Sequence, residues 1–289
     1  MNALELKNIT YTYSKKTPFE KTALSDVSAE FEAGRIHALI GHTGSGKSTL
    51  VQMMNGLLRP DEGEILLFGK NIWDNPKKIN EVRFRVGLVF QYPEYQLFEE
   101  TARKDIAFGP KNMGLDSDEI ERRVKSAAEF TGLSGKILDR SPFELSGGQK
   151  RRIALAGVLA MEPEILVLDE PAAGLDPMGR EEILAGLRSY QRQKKNTVII
   201  VSHSMEDVAA YCDRMTVLSS GRVFASGECG EIFRREKELT EMGLGIPQIT
   251  RLTHILRERG VNISDGLFTV DAVRRHLEML LSEGKGETP

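Results

Sequence analysis

The segment Gly41-His42-Thr43-Gly44-Ser45-Gly46-Lys47-Ser48 constrains the fold more than any other part of the chain. It has the form G-x-x-x-x-G-K-S, in which glycines let successive backbone N–H groups converge on an anion. The lysine then adds a point charge beside the terminal phosphates. The pattern binds phosphate only between a strand and a helix, because the helix N-terminus contributes partial positive charge. Both flanks are present: the β-type run Ile36-His37-Ala38-Leu39-Ile40 before it, and the helix-compatible Lys47 to Met54 after it. A glycine-rich turn without a ligand is the plain alternative, and this context argues against it. Ser48 is placed to offer a hydroxyl to Mg²⁺.

Three further β-rich runs end as the first one does, in polar groups. Val86-Gly87-Leu88-Val89-Phe90 runs into Gln91, Ile165-Leu166-Val167-Leu168 into Asp169-Glu170, and Val198-Ile199-Ile200-Val201 into Ser202-His203. Nearly unbroken apolar runs are expected of strands buried on both faces of a parallel sheet. Open α/β sheets take ligands beyond the carboxyl ends of their strands. The four runs therefore predict one site, in an α/β fold with a mainly parallel sheet. Asp169 suits Mg²⁺, held through a water because that ion keeps part of its hydration shell. Glu170 suits the orientation or deprotonation of an attacking water. Two solvated acids opening a loop are the bland reading of the pair.

A second glycine run, Leu145-Ser146-Gly147-Gly148-Gln149, opens a helix, and Ser141-Pro142-Phe143-Glu144 before it has the form of a small capping box. Ser146 and the amides of Gly147 and Gly148 form a second anion site. One nucleotide does not need two cradles on separate subdomains. Two chains placed head to tail resolve this, each nucleotide lying between one chain's Lys47 loop and the other's Ser146 helix.

Alternating patterns at Leu4–Ile9 and Val27–Phe31 predict strands around an exposed loop, Ser14 to Lys21, and Asp116 to Phe130 is charged with apolar residues at helical spacing. The chain changes character after about Cys229: Gly243, Gly245 and Pro247 break it, then Leu252, Ile255 and Leu256 mark one amphipathic helix. Val270, Val273, Leu277 and Leu280 mark another.

At 289 residues, with 40% hydrophobic and 28% charged, the chain has room for a sizeable core. A prior of about 150 residues per domain gives roughly two folding units. The net charge of −3 gives no long-range attraction for nucleic acid or anionic membrane. The basic doublets Lys77-Lys78, Arg122-Arg123, Arg151-Arg152, Lys194-Lys195 and Arg274-Arg275 are dispersed among acids and read as solvated faces. Cys212 and Cys229 lack metal or redox spacing and read as free thiols. The N-terminus lacks the basic and apolar features of a signal peptide, and no apolar run is long enough to span a membrane. Any membrane role is thus expected to run through a partner.

Together these motifs resemble the nucleotide-binding domain of ABC transporters, over roughly residues 1–230. The resemblance implies a P-loop, RecA-like sheet core with an antiparallel β subdomain, a helical subdomain inserted at about 93–162, and a C-terminal α-containing extension at 231–289. It implies ATP and Mg²⁺ as ligands. Gly41, His42, Thr43, Gly44, Ser45, Gly46, Lys47, Ser48 and Thr49 would bind nucleotide, His42 through its backbone. Ser48, Gln91 and Asp169 would serve Mg²⁺, and Glu170, His203 and Gln91 would serve catalysis. Ser146, Gly147, Gly148 and Gln149 match the signature that acts across the dimer, and Asp176 the loop that couples the two sites. Tyr13 falls where the family stacks an aromatic on adenine; from the residues alone Tyr11 is its rival.

Val89-Phe90-Gln91-Tyr92-Pro93-Glu94-Tyr95-Gln96-Leu97-Phe98 is similar to the segment after the same glutamine in energy-coupling-factor (ECF) transporter ATPases, importers of vitamins and of cobalt or nickel ions. That likeness implies a second ATPase subunit, in a homo- or heterodimer held together by the extension. It also implies a transmembrane coupling subunit, a substrate-binding membrane subunit, and a peripheral location on the cytoplasmic face of the cell membrane. Nucleic acid is not an expected partner. Glu94, Glu99 and Glu100, with Tyr95 and Phe98, are expected to line an acidic groove for an arginine-bearing coupling helix. The alternatives are the ATPase of another ABC importer and a soluble ABC ATPase. A P-loop kinase would leave the Ser146 run and Asp176 without a role.

Overall fold

The computed structural model describes residues 1–283; residues 284–289, the end of the predicted extension, lie outside the described residues. Two sheets organise the chain. The first is antiparallel, with order β2-β1-β4-β5. It comprises β1 (Asn2–Tyr13), β2 (Lys21–Glu32), β4 (Glu62–Leu67) and β5 (Lys70–Asn71). Ser14 to Glu20 form the exposed connection predicted between the first two strands.

The second sheet has six strands in the order β10-β9-β3-β8-β7-β6. Five run parallel: β3 (Ile36–Ile40), β6 (Val86–Val89), β7 (Ile165–Asp169), β8 (Thr197–Val201) and β9 (Arg214–Ser219). The edge strand β10 (Arg222–Glu228) returns antiparallel. Every residue of β3, β6 and β8 is buried, as expected of strands covered on both faces. Successive side chains alternate between two cores. Leu39, Val167, Ile199 and Val201 face the antiparallel sheet and α1 (Lys47–Met54). Ile36, Leu166, Leu168, Val198 and Ile200 face the helical side.

Beside α2 (Ile79–Arg85), the helices of the inserted region are α3 (Ala102–Asn112), α4 (Ser117–Phe130), α5 (Gly135–Leu138) and α6 (Gly147–Leu159). Asp116 caps α4 by accepting from Glu119 N, so the predicted helix begins where its cap says. α6 starts with a full capping box between Ser146 and Gln149. The box expected at Ser141 is corrected: Pro142–Glu144 form a single 3₁₀ turn without a side-chain cap, because Leu145 is extended and separates that turn from α6. α7 (Pro177–Lys194) is capped by Asp176, and α8 (Met205–Tyr211) by Ser204.

Beyond β10 come α9 (Cys229–Phe233), α10 (Glu236–Glu241), α11 (Gln248–Glu258) and α12 (Val270–Glu283). The two amphipathic helices read from the sequence are α11 and α12. Cys229, Ile232, Phe233, Leu239, Leu244 and Ile246 form one core with Ala38, Ile40, Met215 and Val217 of the sheet. That core runs across position 231. Both cysteines are free, and burial pushes the Cys229 thiol up to about 12.

Candidate functional site

The carboxyl ends of four adjacent strands, β3, β8, β7 and β6, bring the predicted polar groups to one edge of the sheet. Gly41 to Gly46 follow β3. Here Gly46 is required: its φ is +103°, and a Cβ would lie 2.7 Å from Leu24 Cδ2 and 2.8 Å from Ala23 O. Ser45 is wholly buried, and its Oγ has no hydrogen-bond partner among the described residues. The loop is drawn together by Lys47, whose Nζ donates to Gly41 O at 2.7 Å and His42 O at 3.0 Å. Burial lowers the Lys47 pKa, while the carboxylates of Glu170 and Asp169 oppose that fall.

His42 does more than the backbone role expected of it, and this is a correction. Ser220 N donates to His42 Nε2 at 3.4 Å, and His42 Nδ1 lies 2.8 Å from Thr43 O. The Nδ1–H tautomer satisfies both contacts, so the side chain pins the loop to the turn after β9. Thr49, in the first turn of α1, bonds through its Oγ1 to Tyr13 OH at 3.1 Å. Tyr13 lines a cleft of about 190 Å³ with Gly44, Gly46, Lys47, Ser48 and Thr49. Tyr11 instead packs on the core and meets Tyr13 edge to face, ring centroids 4.8 Å apart.

Asp169 ends β7. Burial and the neighbouring Glu170 raise its pKa, against the pull of Lys47 and the Ser48 hydroxyl. A half-buried carboxylate beside a hydroxyl is an all-oxygen donor set, which fits a hard divalent cation. Glu170 adopts φ +52°, a backbone region that L residues seldom enter. Its Oε2 lies 2.8 Å from His203 Nδ1, with His203 exposed and Glu170 largely covered. Gln91, Tyr92, Glu170 and His203 share a cavity of about 310 Å³ with the Ala173–Leu175 loop. Asp176 accepts from Gly179 N at 2.7 Å and so sets the start of α7.

Ser146, Gly147, Gly148 and Gln149 line neither of these two cavities. Ser146 and Gly148 are exposed at the start of α6, and nothing lies within 4 Å of a Cβ added at Gly147 or Gly148.

Sequence reasoning missed one residue here. As part of a basic doublet Arg151 reads as solvated, but it is only 6% exposed. Its signal was available: it shares a face of α6 with Leu155 and Leu159, both buried. The acidic groove also needs correction. Glu94 Oε2 is buried without a hydrogen-bond partner among the described residues, and its charge acts on Arg151. Glu100 pairs with Lys104, and Asp105 accepts from Phe98 N and Glu99 N. The aromatic part remains outside: Tyr95, Phe98 and Phe108 are exposed, with Phe98 and Phe108 edge to face at 5.0 Å.

This geometry has known counterparts. The family model described as ABC transporter matches residues 24–173. The chain is 51% identical over 283 residues to an energy-coupling factor transporter ATP-binding protein, EcfA2, of Clostridium acetobutylicum, covering 98% of this chain and 99% of that one. It is also 51% identical over 278 residues to the EcfA2 of Symbiobacterium thermophilum, covering 96% of each. Among solved structures, cbiO1 of Clostridium perfringens, part of the ABC transporter complex cbiONQ, superposes with TM-score 0.74 at 40% identity, covering 88% of this chain and 99% of that one. The ATP-binding cassette MJ0796, a dimer in a post-hydrolysis state bound to ADP and Pi, does so with TM-score 0.71 at 27% identity, over 78% and 98% of the two chains. With its phosphate loop, its strand-end carboxylates and relatives that match nearly end to end, this chain belongs to the ABC transporter family, among the energy-coupling factor transporter ATP-binding proteins.

Proposed function

We propose that this chain is the ATP-hydrolysing subunit of an ECF-type importer, in which two ATPase protomers share each nucleotide and drive membrane partners. One observation carries the reading: the Lys47 loop, Asp169 and the Glu170–His203 pair stand at the ends of neighbouring parallel strands, within one edge of the sheet. The backbone of Gly41 to Thr49, Lys47 and the α1 N-terminus bind the phosphates, and Tyr13 stacks on the base. Ser48, Asp169 and Gln91 would hold Mg²⁺ through oxygen atoms; when bound, that ion neutralises charge on the phosphate oxygens. Glu170 takes the proton of the water that attacks the γ-phosphorus, as the bond to the ADP oxygen breaks. His203 orients the Glu170 carboxylate and reaches toward the same phosphate.

The exposed starts of α6 and of α7 at Asp176 face outward, where a second protomer completes the site with its own Ser146 run. Residues 231–289 then hold the dimer, and the helical subdomain at 93–162 moves with nucleotide. No helix among the described residues is long and apolar enough to cross a membrane, so attachment to the cytoplasmic face runs through partners. The aromatic surface of Tyr95, Phe98 and Phe108, with Glu99 at its side, suits the coupling subunit, beside which the substrate-binding subunit sits.

In the reconstituted assembly, Glu170→Gln is expected to retain ATP binding while steady-state hydrolysis falls by about 10²–10⁴. Hydrolysis at the parental rate would overturn the assignment.

A further inference from the structure

Arg151 is a cation where the proposed chemistry asks for none. It is the fifth residue of α6, two residues after Gln149, and is 6% exposed. Its Nη1 donates to Ala173 O at 2.6 Å, and its Nη2 to Glu170 O at 3.1 Å. Both acceptors belong to the loop between β7 and α7. Glu170 is the residue of that loop with φ +52°, and its own amide donates to Val201 O at 3.1 Å. It is therefore fastened on both sides, through its amide to β8 and through its carbonyl to α6. A sparsely populated backbone conformation persists only where its surroundings over-determine it.

A charge on a third element acts on the same guanidinium without pairing with it. Among the charges acting on Arg151, the Glu94 carboxylate most opposes the fall in pKa that burial causes. Glu94 stands three residues beyond Gln91, in the 3₁₀ turn Pro93–Gln96. Arg151 thus joins the helix opened by the signature run to the loop that aims Glu170, with the Glu94 charge acting on it from the segment after Gln91.

We propose that Arg151 is a positioning residue that locks Glu170 in its left-handed backbone conformation, so that the placement of α6 governs whether the Glu170 carboxylate is aligned on water. The Arg151 side chain makes no hydrogen bond to the Gly41–Thr49 loop among the described residues and acts through Glu170. A guanidinium presents its donors in a rigid fork, which matches two carbonyls on one loop. A lysine ammonium is a single centre and holds one of them well. The inference rests on Glu170 being the general base.

The test uses the complete reconstituted assembly, with the parent, Arg151→Met and Arg151→Lys each made alone and combined with Glu170→Gln. Arg151→Met is expected to lower kcat about 100-fold while KM for ATP stays within about twofold. Arg151→Lys, which preserves charge and bulk, is expected to fall between Arg151→Met and the parent. In the Glu170→Gln background neither substitution should slow single-turnover hydrolysis further, because the group through which Arg151 acts is already gone. A parental kcat in Arg151→Met, or a full additional loss in the Glu170→Gln background, overturns the proposal. If Arg151→Met does not assemble, the Arg151→Lys pair decides by the same comparison. Parental hydrolysis with an unaffected Arg151→Met sinks this inference alone; no parental hydrolysis sinks the ATPase reading with it.

Discussion

The two glycine-rich runs of this chain are glycine-rich for different reasons. In the first, the chain's own packing excludes a side chain: at Gly46 an added Cβ would press on Leu24 and the Ala23 carbonyl, with φ at +103°. In the second, Gly147 and Gly148 have open space where a Cβ would go. A glycine in a helix interior costs about 0.5–1 kcal/mol relative to alanine, and these two, in the first turn, cost less than that. A residue that the fold does not require, and that weakens its helix, points to something approaching from outside the protomer. The first run is a cradle built by one chain. Under the proposed function, the second is half of a contact.

Substitutions separate the two cases. Gly46→Ala is expected to destabilise the isolated chain by about 2–4 kcal/mol through overpacking and backbone strain, and to abolish ATP binding. Thermal unfolding and nucleotide titration of the monomer check this; a parental melting temperature would show that the cradle is less tightly built than described. Ser146→Arg should leave monomer nucleotide affinity unchanged and cut hydrolysis in the assembly by about 100-fold, as a bulky cation enters the shared contact. If monomer affinity collapsed instead, both runs would serve one nucleotide within a single chain.

Gly148→Ala sharpens the contrast, because stability and activity should move in opposite directions. The monomer should gain up to about 0.5 kcal/mol from helix propensity while hydrolysis in the assembly slows. Denaturant unfolding beside ATPase rates reads both at once, and a loss of monomer stability would mean that the open space is used within the chain.

The smallest effect concerns the strand that feeds the cradle. His37 in β3 is 1% exposed, and burial lowers its pKa below the ordinary 6.5. It lies near Arg214, which also disfavours its charge, and near Glu32 and Asp213, which favour it; its Nε2 meets Glu32 O at 3.1 Å. Below pH 6.5 the unfolded chain therefore binds a proton that the folded chain does not. Stability should fall as pH drops from 6.5 toward the depressed folded value, and level off below it. The helical region carrying the second run contains no histidine, so replacing His37 by Gln should flatten this part of the stability profile in chemical denaturation between pH 7 and 5.

Local pattern made much of the molecule legible. The G-x-x-x-x-G-K-S run marked its own strand and helix. Unbroken apolar runs ending in Gln91, Asp169-Glu170 and His203 marked parallel strands whose ends share an edge. Asp116 announced α4, and the glycine run after Ser146 marked the start of α6, although its capping box lies at Ser146 and Gln149 and not at Ser141. Backbone conformation, capping and burial periodicity are encoded within a few residues, so reading along the chain recovers them.

The pairing of distant polar groups was decided only by the packed structure. Arg151 reaches across 19 residues to the carbonyl of Glu170, and His203 across 33 to its carboxylate. His42 meets the backbone of Ser220, 178 residues away. As a doublet, Arg151-Arg152 looked solvated, yet the two residues leave α6 on different faces, one buried beneath the Glu170 loop and the other paired with Glu182. The sequence alone determined which polar groups this protein carries at the ends of its parallel strands. Which of them hold one another in place depended on how helices and strands stack, because a hydrogen bond is set by distance and angle in space, and neighbours along the chain do not determine either.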